Sequence, residues 1–497
     1  MKINPMHLID GYKADHRRQY PEGTEYVYSN FTPRMSRIEG VNEIVFFGLQ
    51  YFIKEYLINK WNEDFFNRPK EELLRKYKER MDNYLGKDAI SVEHISDLYD
   101  LGYLPIKIKA IKEGTLVPIG IPVLTIINTI PKFFWLTNYL ETLMSNILWK
   151  PITSATTAFL YRKRFEEHAA KTGYDRAFIQ WQGHDFSFRG MSGIEDALQS
   201  AAGHLISFTG TDSIPAIDFL EMFYNADATK KLVGGSVPAT EHSVMSLSAK
   251  YINDDIDEIS TFKRLITELY PNGIVSIVSD TFDFWKVLNE YLPTLKEEIL
   301  NRDGRLVIRP DSGDPVKIIC GDNESPYSMI TESQRKGAYE ILWDVFGGTV
   351  NEKGYKELNP KIGLIYGDSI TLRRQDEILT LLEQKGFSAS NLVLGIGSFT
   401  YEYVTRDTFG FAMKATWGMV NGEERDIYKN PKTDSGFKKS AKGLLQVYEE
   451  EGKLKLKDQC THEEENQGLL ETVFENGELI QDFTLSEIRT KLLDNLK

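Results

Sequence analysis

Arg305-Leu-Val-Ile-Arg-Pro-Asp-Ser-Gly-Asp-Pro315 decides the reading of this chain, because a short apolar run ends there in one guanidinium and two carboxylates. Leu306, Val307 and Ile308 form a compact β-branched-rich run of the kind that suits a strand buried on both faces, and the Pro and Gly that follow stop it. The stretch therefore reads as a strand that delivers charge at its C-terminal tip.

The pattern recurs. Ala177-Phe-Ile-Gln-Trp181 leads to His184-Asp-Phe-Ser-Phe-Arg189, Leu205-Ile-Ser-Phe208 to Thr209-Gly-Thr-Asp212, and Gly235-Ser-Val-Pro238 to Ala239-Thr-Glu-His242. Ile274-Val-Ser-Ile-Val278 leads to Ser279-Asp280, Ile362-Gly-Leu-Ile-Tyr366 to Gly367-Asp-Ser369, and Asn391-Leu-Val-Leu394 to Gly395-Ile-Gly-Ser398. Helical periodicity over residues 194–205, 214–224, 262–270, 334–346 and 372–385 separates most of these runs. About seven strand–helix units with polar groups at every tip predict an irregular (β/α) barrel, whereas a doubly wound open sheet concentrates ligand groups at one switch point.

At 497 residues the chain has room for about two or three domains. A net charge of −14 disfavours general nucleic-acid binding, so a phosphorylated ligand needs a local cluster of Arg and Lys. Cys320 and Cys460 stand far apart with no zinc or redox spacing, which fits a reducing cytoplasm. Neither a secretory head nor an apolar run of about eighteen residues is present, so no membrane partner is expected.

The ends differ from the middle. Residues 44–58 have helical periodicity, 70–85 read as a charged surface helix, 104–129 as β, and 133–148 as an apolar helix. Residues 351–360 read as a polar loop. Beyond Phe411, turns at Asn421-Gly422, Glu451-Gly452 and Asn476-Gly477 signal hairpins, and Thr484-Leu-Ser-Glu487 opens a last helix with a capping box. We therefore expect a barrel over residues 151–405 beside a β-rich α+β domain built from both chain ends, 1–150 and 406–497.

Gly367, Asp368, Gly397 and Ser398 close the last two strands, where such barrels commonly hold a phosphate on backbone N–H groups. Arg189, Arg309, Arg406 and Lys414 supply positive charge; the plainer reading of an isolated Arg is a structural ion pair, but Arg189 and Arg309 follow strands directly. Asp185, Asp212, Asp280, Asp311 and Asp368 crowd carboxylates at one rim, which either cap the following helices or need a cation such as Mg2+ bridged to a diphosphate. His184 and His242 stand at tips, where a lone His is more often structural. The absence of His-x-His and Cys-x-x-Cys pairs disfavours zinc, and the absence of tip lysines disfavours a Schiff-base aldolase. Phe186 and Tyr12 are aromatics in polar, Gly-bearing contexts; core packing is the plainer reading of Phe186 alone.

These motifs together carry a resemblance. Asp10-Gly-Tyr-Lys-x-x-His16, Val45-Phe-Phe-Gly-Leu-Gln-Tyr51, His184-Asp-Phe-Ser-Phe-Arg-Gly190, Gly210-Thr-Asp212, Ser236-Val-Pro-Ala-Thr-Glu-His242, Val278-Ser-Asp280, Ile308-Arg-Pro-Asp-Ser-Gly313, Gly367-Asp368 and Thr405-Arg-Asp407 resemble, in order and approximate spacing, the nicotinamide phosphoribosyltransferase family of type II phosphoribosyltransferases. The resemblance implies a homodimer that joins nicotinamide to 5-phosphoribosyl 1-diphosphate, giving nicotinamide mononucleotide for NAD salvage. It implies that Phe186 stacks on the ring with Tyr12 of the partner subunit opposite, and that Arg189, Asp212 and Ser276 orient the ring and its amide. Arg309, Asp311, Gly367, Asp368, Gly397 and Ser398 are then expected to hold ribose and 5′-phosphate, and Arg406, Lys414 and the partner's Arg34 the diphosphate or ATP. His242, Asp280 and Asp311 form the expected catalytic group, with His242 phosphorylated from ATP and Mg2+ as a cofactor. Three positions depart from the family pattern: Ser398 and Phe399 replace glycines after the last strand, and Ser187 replaces the glycine after Phe186. Rival readings are a nicotinate or quinolinate phosphoribosyltransferase, a phosphosugar aldolase or isomerase barrel, and a non-catalytic nucleotide-binding protein.

Overall fold

The charged tip at Arg309 ends the strand Asp303–Arg309, which sits second in a six-stranded parallel sheet. In spatial order the strands are Asn272–Val278, Asp303–Arg309, Ile362–Tyr366, Leu392–Ile396, Gly183–Asp185 and Gly210–Thr211. Residues 235–239 join the two edges: Gly235 bonds to Thr209 and Thr211, while the carbonyl of Pro238 and the N–H of Thr240 bond to Ser276. The result is an irregular barrel. Its chain crossovers include the helices Ile194–Leu205, Ala338–Phe346 and Leu372–Gln384, as parallel neighbours require. The computed structural model describes residues 3–252, 255–429 and 441–496.

Alternation along the strands decides what each side chain meets. Val275, Ile277, Leu306, Ile308, Ile362, Leu364, Leu392 and Leu394 are buried in one core cluster with the helices. Their neighbours Ile274, Ser276, Val307, Arg309, Ile365 and Val393 face a cavity of about 550 Å³ inside the barrel. The strands are thus not packed on both faces, as their apolar runs predict; one face lines a binding-sized space.

The chain divides into two compact units. One comprises Thr157–Asp218 and Asp227–Tyr403 and contains the barrel. The other takes the chain up to Thr156, with Phe219–Ala226 and Val404–Asn495. Its seven-stranded sheet runs in the order Glu423–Asp426, Ala412–Val420, Thr24–Thr32, Leu124–Asn128, Ile106–Ala110, Glu471–Glu475 and Glu478–Leu479, interleaving strands from early and late sequence.

Several elements differ from the sequence reading. Ala177–Trp181 is helical, with Asp175 capping Ala177 N–H, and the strand is only Gly183–Asp185. A short apolar run is ambiguous between strand and buried helix, and here the cap decides. Leu205–Phe208 closes a helix, since the Ser207 and Phe208 N–H groups bond to His204 carbonyl, and the next strand starts at Gly210. The last barrel strand runs on through Gly395-Ile396, so the tip begins at Gly397. Gly337 splits the 334–346 helix, residues 351–360 contain half of a hairpin between Gly348–Val350 and Lys356–Leu358, and the 133–148 helix continues through Pro151 as Leu136–Thr172.

The helix predicted over 44–58 starts late: Glu43–Val45 pairs with Leu116–Pro118, and helical backbone begins at Leu49. The buried Glu113 carboxylate caps it, accepting from Gly48 N–H at 2.8 Å, Gln50 N–H at 2.7 Å and Tyr224 O–H at 3.0 Å. Burial pushes the Glu113 carboxyl up to about 7, against these hydrogen bonds, which lower it. The folded state thus holds this proton more tightly than the unfolded chain does. Its contribution to stability is full below the ordinary Glu value and is lost as pH rises through about 7. The Tm advantage of the parent over Glu113→Gln is therefore expected to shrink by a few kcal/mol equivalent between about pH 5 and 8. A pH-independent difference in melting scans contradicts this assignment.

Candidate active site

At the C-terminal ends of the strands, His184, Phe186, Asp212, Ser236, Ser276 and Arg309 line the cavity. His184 Nε2 lies 2.9 Å from Asp212 Oδ1, and Ser236 Oγ donates to the same oxygen at 2.7 Å. Burial raises the Asp212 carboxyl, but His184, Ser236 and the charge of Arg309 outweigh it and hold it below the ordinary carboxylate range. Asp212 is therefore an ionised acceptor whose Oδ1 is held in place. The buried Ser276 Oγ and Arg309 Nε have no hydrogen-bond partner among the described residues, although a buried polar group is ordinarily paired. Arg309 Nη2 donates to the Thr240 carbonyl, which fixes its guanidinium beside the cavity.

Phe186 lies against Gly395, where an added Cβ would stand 2.5 Å from the ring. Its centroid is 4.5 Å from that of His184, tilted by 41°. A flat heterocycle entering this end meets an aromatic ring, a fixed carboxylate and an unpartnered hydroxyl.

A second group sits on the tips of Asn272–Val278 and Asp303–Arg309. His242 Nε2 lies 3.2 Å from Asp311 Oδ1 and 4.0 Å from Asp280 Oδ1, and His242 Nδ1 lies 3.1 Å from Thr281 Oγ1. Asp280 Oδ2 accepts the backbone N–H groups of Asp311 and Ser312 at 2.9 and 2.8 Å. Asp280 Oδ1 is buried and has no hydrogen-bond partner among the described residues. One ligand atom from each of His242, Asp280 and Asp311 lies within 4.8 Å of the others. This orphaned oxygen beside a second carboxylate fits a hard divalent cation, for which Asp280 and Asp311 offer the oxygen donors.

The last two tips are tied together. Thr400 Oγ1 and Tyr161 Oη both donate to the Ile370 carbonyl, at 2.8 and 2.9 Å, joining the Gly367–Ser369 turn to the helix Ser398–Tyr401. Ser398 packs against Gly190, where any Cβ would collide with its hydroxyl, so Ser398 braces the loop that carries Phe186 and Arg189. Asp368 is exposed and accepts from Ser369 Oγ at 2.7 Å, and Arg189 is exposed.

Asp185 corrects the sequence reading of a rim carboxylate. It is fully buried and turned into the fold, accepting from Ser187 N–H, Ser187 Oγ, Thr211 Oγ1 and Ser213 Oγ at 2.6–3.0 Å. Ser187 is thereby a donor that fixes the turn before Arg189. Four of the expected residues belong to the other unit. There Arg34 Nε donates to the Gly410 carbonyl at 3.1 Å, and Arg406 is exposed on the turn whose Phe411 N–H bonds back to its carbonyl. Lys414 lies opposite Asn30 in the sheet, and Tyr12 is 62% exposed. Sequence reasoning took His184 as structural and passed over Ser236 and Thr281; His184 at a strand tip and Ser236 within a motif were the available signals.

Fold comparisons agree with this architecture. The crystal structure of nicotinate-nucleotide pyrophosphorylase from Pyrococcus furiosus superposes with a TM-score of 0.59 at 16% identity, covering 99% of this chain and 95% of that one. Human nicotinic acid phosphoribosyltransferase gives 0.55 at 13% identity, covering 97% and 92%. The fold is that of the pyridine phosphoribosyltransferase barrels, and the sequence profile of the nicotinate phosphoribosyltransferase (NAPRTase) family matches residues 181–478.

The profile of the nicotinamide phosphoribosyltransferase N-terminal domain matches residues 4–108. The nicotinamide phosphoribosyltransferase of Acinetobacter baylyi is 56% identical over 507 aligned positions, covering 100% of this chain and 98% of that protein. Those of Xanthomonas campestris and Mycoplasma pneumoniae are 32% and 34% identical, covering 97% and 89% of this chain and 96% and 97% of theirs. The chain belongs to the nicotinamide phosphoribosyltransferase family.

Proposed function

We propose that this enzyme transfers the 5-phosphoribosyl group from phosphoribosyl diphosphate to nicotinamide, releasing diphosphate and nicotinamide mononucleotide for NAD salvage. The observation that carries the choice of ring is the fixed, ionised Asp212 beside the unpartnered Ser276 hydroxyl at the mouth of an apolar cavity. A neutral carboxamide can donate its N–H to Asp212 and accept from Ser276 with its carbonyl.

The pyridine nitrogen brings its own lone pair, so no base is needed. It attacks the ribose anomeric carbon as the carbon–oxygen bond to diphosphate breaks, and diphosphate leaves with the bonding electrons. Asp311 stabilises the positive charge that develops on the ribose, and Arg309 with the loops at Gly367–Asp368 and Gly397–Ser398 holds the phosphoribosyl group. Asp280 and Asp311 would hold a Mg2+ ion, which when bound would supply charge neutralisation for the diphosphate. Incubation with nicotinamide and phosphoribosyl diphosphate tests the reading; product of nicotinamide mononucleotide mass supports it, and its absence with intact substrates overturns it.

ATP drives the condensation through His242 on this reading. The imidazole is about half exposed and oriented by Thr281 and the Asp311 carboxylate, as a phosphoryl acceptor requires. Its nitrogen takes the γ-phosphoryl group, ADP leaves, and the imidazole proton passes to Asp311. His242→Ala is expected to abolish ATP hydrolysis and the ATP-dependent gain. Undiminished ATP stimulation in that variant refutes the phosphohistidine.

The enzyme acts as a homodimer with shared sites. Exposed apolar side chains follow the strand tips: Phe188, Ile194, Ile214, Leu247 at 91% exposure, Phe399 and Tyr403 at 86%. Apolar side chains this exposed call for a cover, and we assign a second copy that contributes Tyr12 and Arg34. Mixing inactive Tyr12→Ala with inactive Asp311→Ala is expected to recover activity, because mixed dimers can assemble one intact site. Verified mixed dimers without activity exclude sharing. Among the described residues no helix is long and apolar enough to cross a membrane, and both cysteines are free thiols, which fits work in the cytoplasm.

A further inference from the structure

A buried imidazole joins the two halves of the site from beneath. His204, fully buried on the helix Ile194–Leu205, has Nδ1 2.7 Å from Tyr401 Oη and Nε2 3.1 Å from the Gly210 carbonyl oxygen. Tyr401 ends the helix Ser398–Tyr401 on the phosphate side, and Gly210 opens the strand that leads to Asp212 on the ring side. The carbonyl can only accept, so Nε2 carries the proton and Nδ1 accepts the Tyr401 O–H. Burial drives the imidazole down to about 4, so the ring is neutral and this direction is fixed. Phe208 stacks on the ring at 5.0 Å and 21°, and Tyr401 meets it edge-on at 5.8 Å and 85°.

Both ends of this chain of hydrogen bonds are anchored. Thr400, beside Tyr401, holds the Ile370 carbonyl next to the Gly367–Ser369 turn. Gly210 pairs with His184 and Gly235, and the Asp212 N–H bonds to the Asp185 carbonyl at 2.9 Å. A shift of either loop relative to the other must break a buried bond to a group with no water to replace it, which costs more than the same bond at the surface.

We infer that Tyr401 and His204 are positioning residues that set the loop holding the phosphoribosyl group at a fixed distance from the strand holding the pyridine ring. The inference rests on the ring-transfer reading given above. Neither residue touches substrate on this account. Each half of the site keeps its own contacts without them, so separate binding survives, but attack requires the nitrogen and the anomeric carbon within about 3–3.5 Å and aligned.

The test is Tyr401→Phe in the full-length enzyme, which removes one oxygen and keeps the ring. The expected result is a fall of about tenfold in kcat, with KM for nicotinamide and for phosphoribosyl diphosphate each within about twofold and the melting temperature nearly unchanged. Long-range proton–nitrogen spectra of histidine-labelled enzyme are expected to show the His204 ring Nε2-protonated, with an Nδ1 signal that moves in the variant. His204→Gln is expected to give a similar kcat loss, and the double variant no further loss, as for members of one unit. An unchanged kcat in Tyr401→Phe, or a loss that merely tracks the unfolded fraction, overturns the inference. A parent enzyme that makes no mononucleotide from nicotinamide is recognised in the same assay and overturns the reading beneath it, and the inference with it.

Discussion

Asp212→Ser is expected to lower kcat/KM for nicotinamide and raise the relative kcat/KM for nicotinate. In the parent, His184 and Ser236 both hold Asp212 Oδ1, and these contacts keep the group ionised. On the proposed reading nicotinamide presents an N–H to that carboxylate, whereas nicotinate presents a second negative charge. At about 4 Å and an effective dielectric near 20, the repulsion is about 4 kcal/mol, or roughly a thousandfold in discrimination. Because Asp212 is nearly half exposed, solvent screening makes this an upper figure. Serine keeps an acceptor for the amide but carries no charge. Steady-state competition between the two rings reads the ratio directly, and an unchanged ratio shows that selectivity resides elsewhere.

Asp311→Asn is expected to cost roughly two to three orders of magnitude in kcat, the size seen when one preorganised electrostatic contact to a transition state is removed. Asp311 follows the strand Asp303–Arg309 and is held by its own N–H on Asp280 Oδ2 at 2.9 Å, so its backbone position does not depend on its side-chain charge. Asparagine preserves the shape and removes the charge that, on the proposed mechanism, stabilises the developing ribose cation. The fall should appear with and without ATP, which separates it from loss of His242 phosphorylation. A loss confined to the ATP-stimulated rate would show that Asp311 serves only the histidine.

The parallel strands were legible where the run of apolar residues was long enough for both alternating faces to show, as in Asp303–Arg309 and Ile362–Tyr366. The three-residue strand Gly183–Asp185 and the two-residue strand Gly210–Thr211 were mistaken for the apolar helical segments just before them, because so few residues carry no period. Asp212, Asp280, Asp311 and His242 were visible as charged groups at strand ends. What they touch was not: Ser236 on Asp212 lies 24 residues away and Thr281 on His242 lies 39 away. The inward turn of Asp185 was hidden for the same reason, since its partners are hydroxyls contributed by the following loop and strand. The link from His204 to Tyr401 spans 197 residues and follows from the closure of the barrel alone.

The central claim is that this barrel builds a mononucleotide on the amide form of the pyridine ring. The most direct measurement supplies nicotinamide and nicotinate together at equal concentration, with limiting phosphoribosyl diphosphate, and weighs the products by mass spectrometry. The account predicts nicotinamide mononucleotide in large excess, released with one equivalent of diphosphate. Nicotinate mononucleotide as the main product, or neither nucleotide while phosphoribosyl diphosphate is consumed, contradicts it.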